Sequence, residues 1–208
     1  MNITQPELND YLLNIIPVRD PVLQDMETYA QKNNFPIIGP LVGRILYSYA
    51  KAIDAKRILE LGSGYGYSAV WFAKAMGKEG KIICTEGSAD NAHRAEEYFK
   101  KAKLSTKIDF RVGNALSIID QVDGEFDIIL NDIDKHQYPQ AYRKAIPRLR
   151  KGGLFITDNV LWSGKVLDKK PDAATAGILT FTRLIYSSRS LFTVILPIRD
   201  GVSVSVKL

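Results

Sequence analysis

Apolar residues in the first fifty positions recur at helical spacing, predicting helices over residues 6–16, 20–32 and from Gly39 or Pro40 to Ile53. The first two end near turn residues, Pro17 and Asn33-Asn34, and the third carries Leu41, Ile45, Leu46 and Tyr49 along one face. The pattern changes after residue 56. Short, nearly continuous apolar runs at 57–61, 82–85, 108–112, 126–130 and 154–157 alternate with amphipathic stretches at 68–76, 89–102, 115–121 and 139–150. Runs apolar on both sides predict a parallel sheet with both faces covered by helices. The end of the chain breaks this rhythm. Residues 191–196 and 202–206 read as strands joined by Pro197-Ile198-Arg199-Asp200-Gly201, too short for a parallel crossover, so one of them is reversed. The pattern therefore predicts an α/β fold: a Rossmann-like, doubly wound, mostly parallel seven-stranded sheet with an antiparallel C-terminal strand, helices on both faces and extra N-terminal helices. One domain spans the 208 residues, with a helical cap over 1–54 and the core over 55–208.

Composition narrows the class only a little. Hydrophobic residues make up 46% and charged residues 25%, ordinary for a globular chain, and no apolar run is long enough for a membrane span. Cys84 is the single cysteine and sits in an apolar run, which excludes an internal disulfide, agrees with a cytoplasmic location and makes it a core residue rather than a nucleophile. The net charge of +5 permits an anionic partner, but the basic residues are scattered. Nucleic acid is possible and not favoured.

Candidate chemistry starts at Glu60-Leu61-Gly62-Ser63-Gly64-Tyr65-Gly66-Tyr67-Ser68, which follows the first predicted strand and opens the first crossover helix. Such a loop lets a ligand lie against backbone amides at a helix N-terminus, although a glycine-rich turn can also be purely structural. Tyr67 occupies the place where a dinucleotide fingerprint requires its last glycine. Glu60 beside the loop would repel a pyrophosphate and suits a ligand bearing an ammonium or sulfonium. Glu86, ending the second strand, is placed for ribose hydroxyls. This chemistry favours S-adenosylmethionine over a nicotinamide dinucleotide.

Two further strands end in oxygen donors, Asn131-Asp132-Ile133-Asp134-Lys135 and Thr157-Asp158-Asn159. Alone, Asp158-Asn159 would read as a turn or helix cap. Together with Asp132 it makes two carboxylates and an amide on one rim, hard ligands suited to Mg²⁺.

The segments ILELGSGYGYS (58–68), FDIILNDIDK (126–135), GGLFITDNVLWSG (152–164) and LPIRDGVSVSVK (196–207) resemble, in order, the cation-dependent O-methyltransferases of the catechol and caffeoyl-CoA type. The paired NDIDK and TDNVLWSG segments are the specific part. The resemblance implies contacts to S-adenosylmethionine from Ile38, Glu60, Gly62, Ser68, Glu86, Asn114, Ala115 and Asp132. It implies ligation of Mg²⁺ or another divalent cation by Asp132, Asp158 and Asn159, with Lys135 near the reacting hydroxyl. Asn114, Asn131 and Ile133 depart from the usual pattern, and the N-terminal extension of the plant enzymes is short or absent, which argues against a CoA-ester substrate.

A small aromatic diol could chelate the cation through both oxygens, the cation lowering the pKa of the hydroxyl. Lys135 would take the proton if its own pKa is lowered, with a plain surface lysine as the alternative; His136 is the next base in line. His93 lies on a charged, solvated helix and Trp71 reads as core. Trp162 is either an aromatic wall of the substrate pocket or plain packing. Residues 163–176 read as a lid over that pocket, whose Lys165 to Ala176 stretch sets three lysines against two aspartates, poor material for a phosphate track. The rivals are the same chemistry on a hydroxylated tRNA base and an NAD-dependent oxidoreductase. The helical first third suggests a homodimer interface, partly by family analogy.

Overall fold

The computed structural model describes residues 3–208. Three helices open the chain: α1 (Pro6–Ile15), α2 (Pro21–Asn33) and α3 (Gly39–Ala52). Proline stands in the first turn of each, where its fixed φ fits and its missing N–H costs nothing. The Asp20 carboxylate caps α2 by accepting from the Val22 N–H at 3.0 Å, and Asn34 ends it in the left-handed conformation, φ 48°.

Seven strands follow: β1 (Arg57–Leu61), β2 (Lys81–Glu86), β3 (Ile108–Val112), β4 (Phe126–Asn131), β5 (Leu149–Thr157), β6 (Leu191–Leu196) and β7 (Val202–Lys207). Their order is β3-β2-β1-β4-β5-β7-β6. All pairs among β1 to β5 are parallel; β7 is antiparallel to both β5 and β6, so it alone is reversed, one place in from the edge. The register aligns Leu61 with Thr85 and Asn131, and Asn131 with Thr157. Glu60, Glu86, Asp132 and Asp158 are thereby brought to one rim.

Neighbouring residues of a strand face opposite sides of the sheet, and two cores result. Ile58, Ile82, Leu130, Ile156 and Val204 pack with α2, α3, α4 (Tyr67–Ala75) and α5 (Ala89–Lys101). Leu59, Leu61, Ile129 and Phe155 pack on the other face with α6 (Ala115–Gln121), α7 (Tyr138–Arg148) and α8 (Ala173–Ser187). Cys84 and Trp71 belong to the first core, as expected, and His93 is exposed beside Glu97.

The segment 163–176, read from sequence as a lid, ends in helix. Trp162–Leu167 forms 3-10 turns broken by a kink at left-handed Ser163 and Gly164, φ 51° and 80°, and α8 has already begun at Ala173, capped by Asp172, which accepts from the Thr175 N–H at 2.7 Å. The uncharged stretch there is helix, anchored by buried Ile178, Phe181 and Ile185 at helical spacing. Strand β5 likewise starts at Leu149 rather than Leu154, running through Gly152 at φ 72°. No helix among the described residues is long and apolar enough to cross a membrane.

Candidate active site

The strand order reverses between β1 and β4, and ligands of open α/β sheets bind at the carboxyl ends beside such a point. The glycine loop lies there. Gly62 adopts φ 81°, and a Cβ on it would stand 2.5 Å from the Asp132 carbonyl oxygen, so only glycine lets β1 turn against the end of β4. Its N–H donates to Thr85 Oγ1 at 3.1 Å, and the Gly64 N–H donates to Glu86 Oε2 at 3.0 Å. Gly66, at φ 86°, then starts α4.

Glu86 also accepts from the Ser88 N–H at 3.0 Å and from Asn91 Nδ2 at 3.1 Å, which holds its carboxylate rigidly on the cavity wall. Glu60 departs from expectation. It is fully buried and absent from the wall, with its carboxyl turned beneath the loop, where Ser68 Oγ donates to it and Ser63 Oγ donates at 2.9 Å. Burial pushes the Glu60 carboxyl up to about 7 against those hydrogen bonds. The expected direct contact with a cofactor is thus replaced by support of the loop from behind.

A cavity of about 700 Å³ runs from this loop to the ends of β4 and β5. Ile38, Gly62, Ser68, Glu86, Asn114, Ala115, Asp132, Lys135, Asp158, Asn159 and Trp162 all line it. Asn114 additionally caps α6, its Oδ1 accepting from the Ser117 N–H at 3.1 Å. His136 is not on the wall.

Two acids dominate the far end. The Asp132 N–H donates to the Leu61 carbonyl at 2.9 Å and the Asp158 N–H to the Asn131 carbonyl at 3.2 Å, so the sheet ladder itself places both residues. Asp132 Oδ1 accepts from Lys135 Nζ at 2.9 Å. Asp158 is 2% exposed; its Oδ2 accepts from Asn159 Nδ2 at 3.3 Å, and its Oδ1 has no partner among the described residues. Burial, reinforced by the like charge of Asp132, pushes the Asp158 carboxyl up to about 7. Asp132 is raised too, burial outweighing the pull of Lys135, and Arg199 restrains both shifts.

A buried carboxylate oxygen without a donor is costly unless something positive meets it. With Asp132 beside it and the Asn159 amide at the same turn, the donor set fits a hard divalent cation. Among the described residues no three His, Cys, Asp or Glu side chains converge; the third donor is an amide. Asn159 sits at φ 59°, a conformation asparagine tolerates better than most residues.

Tyr138, not anticipated from sequence, donates from its hydroxyl to the Asp158 carbonyl at 2.8 Å and fixes the end of β5 from α7. The Trp162 ring lies 5.6 Å from both Lys135 Nζ and Lys165 Nζ; it lines the cavity and also packs against the second core. Arg199 and Asp200, from the turn between β6 and β7, also line the cavity and were missed because a hairpin turn carries no chemical signature. A second recess of about 440 Å³ shares Asn159, Arg199 and Asp200 with the first and is bounded by Ile3, Thr4, Pro6 and Asn9.

A family model described as O-methyltransferase matches residues 19–208. A catechol O-methyltransferase from Niastella koreensis is 29% identical over 211 residues, covering 96% of each chain. A caffeoyl-CoA O-methyltransferase from Eucalyptus globulus is 32% identical over 174 residues, 77% of this chain and 70% of its own. Among solved structures, an O-methyltransferase from Bacillus cereus in complex with SAH superimposes with a TM-score of 0.89 at 27% identity, covering 97% of each chain.

Proposed function

The chain belongs to the O-methyltransferase family and uses S-adenosylmethionine; from that premise we propose that it methylates a hydroxyl of a small catechol-like aromatic with the help of a divalent cation. The observation that carries this reading is the buried Asp158 carboxyl, with an unpartnered oxygen, set beside Asp132 and Asn159 on the cavity wall. A cation held by Asp132, Asp158 and Asn159, Mg²⁺ by the hardness of the donors, would polarise an adjoining hydroxyl and make it easier to deprotonate.

The chain's own residues do the rest. The Gly62–Gly64 backbone, whose amides are held by Thr85 and Glu86, and Ser68 wall the cofactor end of the cavity, and Glu86, already immobilised by three donors, presents its carboxylate to ribose hydroxyls. Holding cofactor and acceptor in one cavity supplies much of the rate enhancement through orientation. Lys135 Nζ, 13% exposed and directed at Asp132, is the group we assign to take the acceptor's proton, a role that requires its uncharged form. Trp162 supplies a flat wall for an aromatic ring.

Catechol and bulk tRNA, each offered with methyl-labelled S-adenosylmethionine at near-physiological salt, test the acceptor class. Label should enter catechol; efficient, salt-sensitive labelling of tRNA with no turnover of catechol overturns the small-molecule reading.

We propose further that the protein is a homodimer. Helix α1 has no buried residue and exposes Leu8, Tyr11 and Ile15, an apolar face suited to a second copy. Sedimentation should give twice the chain mass, and Leu8→Glu with Ile15→Glu should lower it to the monomer; a monomeric wild type contradicts this.

A further inference from the structure

The turn between β6 and β7 places an arginine where backbone geometry disfavours one. Arg199 adopts φ 51°, the left-handed region that suits glycine and strains a residue with a Cβ. A strained side chain at the edge of a site is informative about what that side chain does. Its guanidinium lies over the start of α3: Nη1 donates to the Ile37 carbonyl at 2.7 Å, and the group stands 3.5–3.6 Å from where a Gly39 Cβ would be. That is its one hydrogen bond among the described residues, and it makes no ion pair within 4.0 Å. Nε and Nη2 are left to donate elsewhere.

Position says where. Arg199 lines both the main cavity and the adjoining recess, as do Asn159 and Asp200, whereas Gly62, Ser68 and Glu86 line the main cavity alone. The guanidinium therefore stands at the acceptor end, beside the acids and away from the ribose end. The recess beyond it is walled by Ile3, Pro6, Thr4 and Asn9, and its one acid, Asp200, is turned to Ser163, whose Oγ donates to it at 3.2 Å. Lys135 is occupied by Asp132, so Arg199 is the cation left to meet an incoming anion there.

We propose that Arg199 recognises a carboxylate on the acceptor, so that the preferred substrate is an ortho-dihydroxy aromatic acid whose acidic side chain reaches into the recess. The proposal rests on the diol reading above. An arginine fork matches a carboxylate better than any other side chain, and a charge-assisted pair at a cavity mouth typically changes affinity about 10- to 100-fold. The same chemistry could be presented by the methionine carboxylate of the cofactor, since Ile37, whose carbonyl accepts from Arg199, lines the main cavity together with the glycine loop.

Dihydrocaffeate and its methyl ester, equal in ring and nearly in length but one anionic and the other neutral, separate these sources. KM for each, and the Kd of S-adenosylhomocysteine, would be measured for the wild type, Arg199→Gly and Arg199→Lys. Arg199→Gly relieves the backbone and should fold at least as well as the wild type. The ratio of ester KM to acid KM should fall by 10-fold or more in Arg199→Gly and partly recover in Arg199→Lys. An equal effect on acid and ester, or a loss confined to S-adenosylhomocysteine binding, overturns the carboxylate assignment while leaving the diol reading intact. Failure of the wild type to methylate either compound overturns both.

Discussion

Glu60 and Lys135 show how burial and pairing set a residue's role. Glu60, buried under the glycine loop, has its carboxyl raised from 4.5 to about 7. In the unfolded chain it ionises near its ordinary value, so the folded state holds the proton more tightly. Its contribution to stability is full below about pH 4.5 and is lost as pH rises through about 7, a span worth about 3 kcal/mol. Urea unfolding of the cofactor-free protein between pH 4.5 and 8 should show that decline, and Glu60→Gln should reduce it, leaving the part that belongs to Asp158. Identical slopes in both proteins would place the titration elsewhere. Lys135 carries the opposite kind of expectation. Because Nζ is assigned a proton and not a cofactor contact, Lys135→Ala should lower kcat about 100-fold or more while changing the Kd of S-adenosylhomocysteine little. Wild-type kcat across the pH range would move the base to another group.

At the scale of elements, the ends of β4 and β5 hold the site and α7 holds the end of β5. The Tyr138 hydroxyl is buried against the Asp158 carbonyl. Tyr138→Phe should cost about 1–2 kcal/mol in denaturant unfolding and weaken Mg²⁺ binding measured by calorimetry, without loss of S-adenosylhomocysteine binding. An unchanged Mg²⁺ affinity would limit Tyr138 to packing. The strands and crossover helices were legible in sequence because apolar runs bounded by glycine and acidic residues have few other solutions. Helix α8 was not, since Ala173-Ala174-Thr175-Ala176-Gly177 shows no amphipathic contrast and its anchors, Ile178, Phe181 and Ile185, come late. The acids of the site were legible from their place after strands. The inward turn of Glu60 was not, because it depends on hydroxyls of Ser63 and Ser68 that only the folded loop brings together. Tyr138 and Arg199 act through side-chain directions set by a helix face and a hairpin turn, which spacing alone does not encode.

For the whole molecule, a single, mostly parallel sheet gathers one cavity from residues spread between Phe35 and Asp200. In the proposed function the cofactor end would rest on the glycine loop and Glu86 and the acceptor end on Asp132, Asp158 and Asn159, and only the second end would need a cation. That division makes the central claim separable from cofactor binding. The direct measurement is transfer of labelled methyl to catechol after exhaustive chelation, followed by titration with Mg²⁺. Transfer should vanish in excess EDTA and return with Mg²⁺. Undiminished transfer to catechol in excess EDTA would contradict the account.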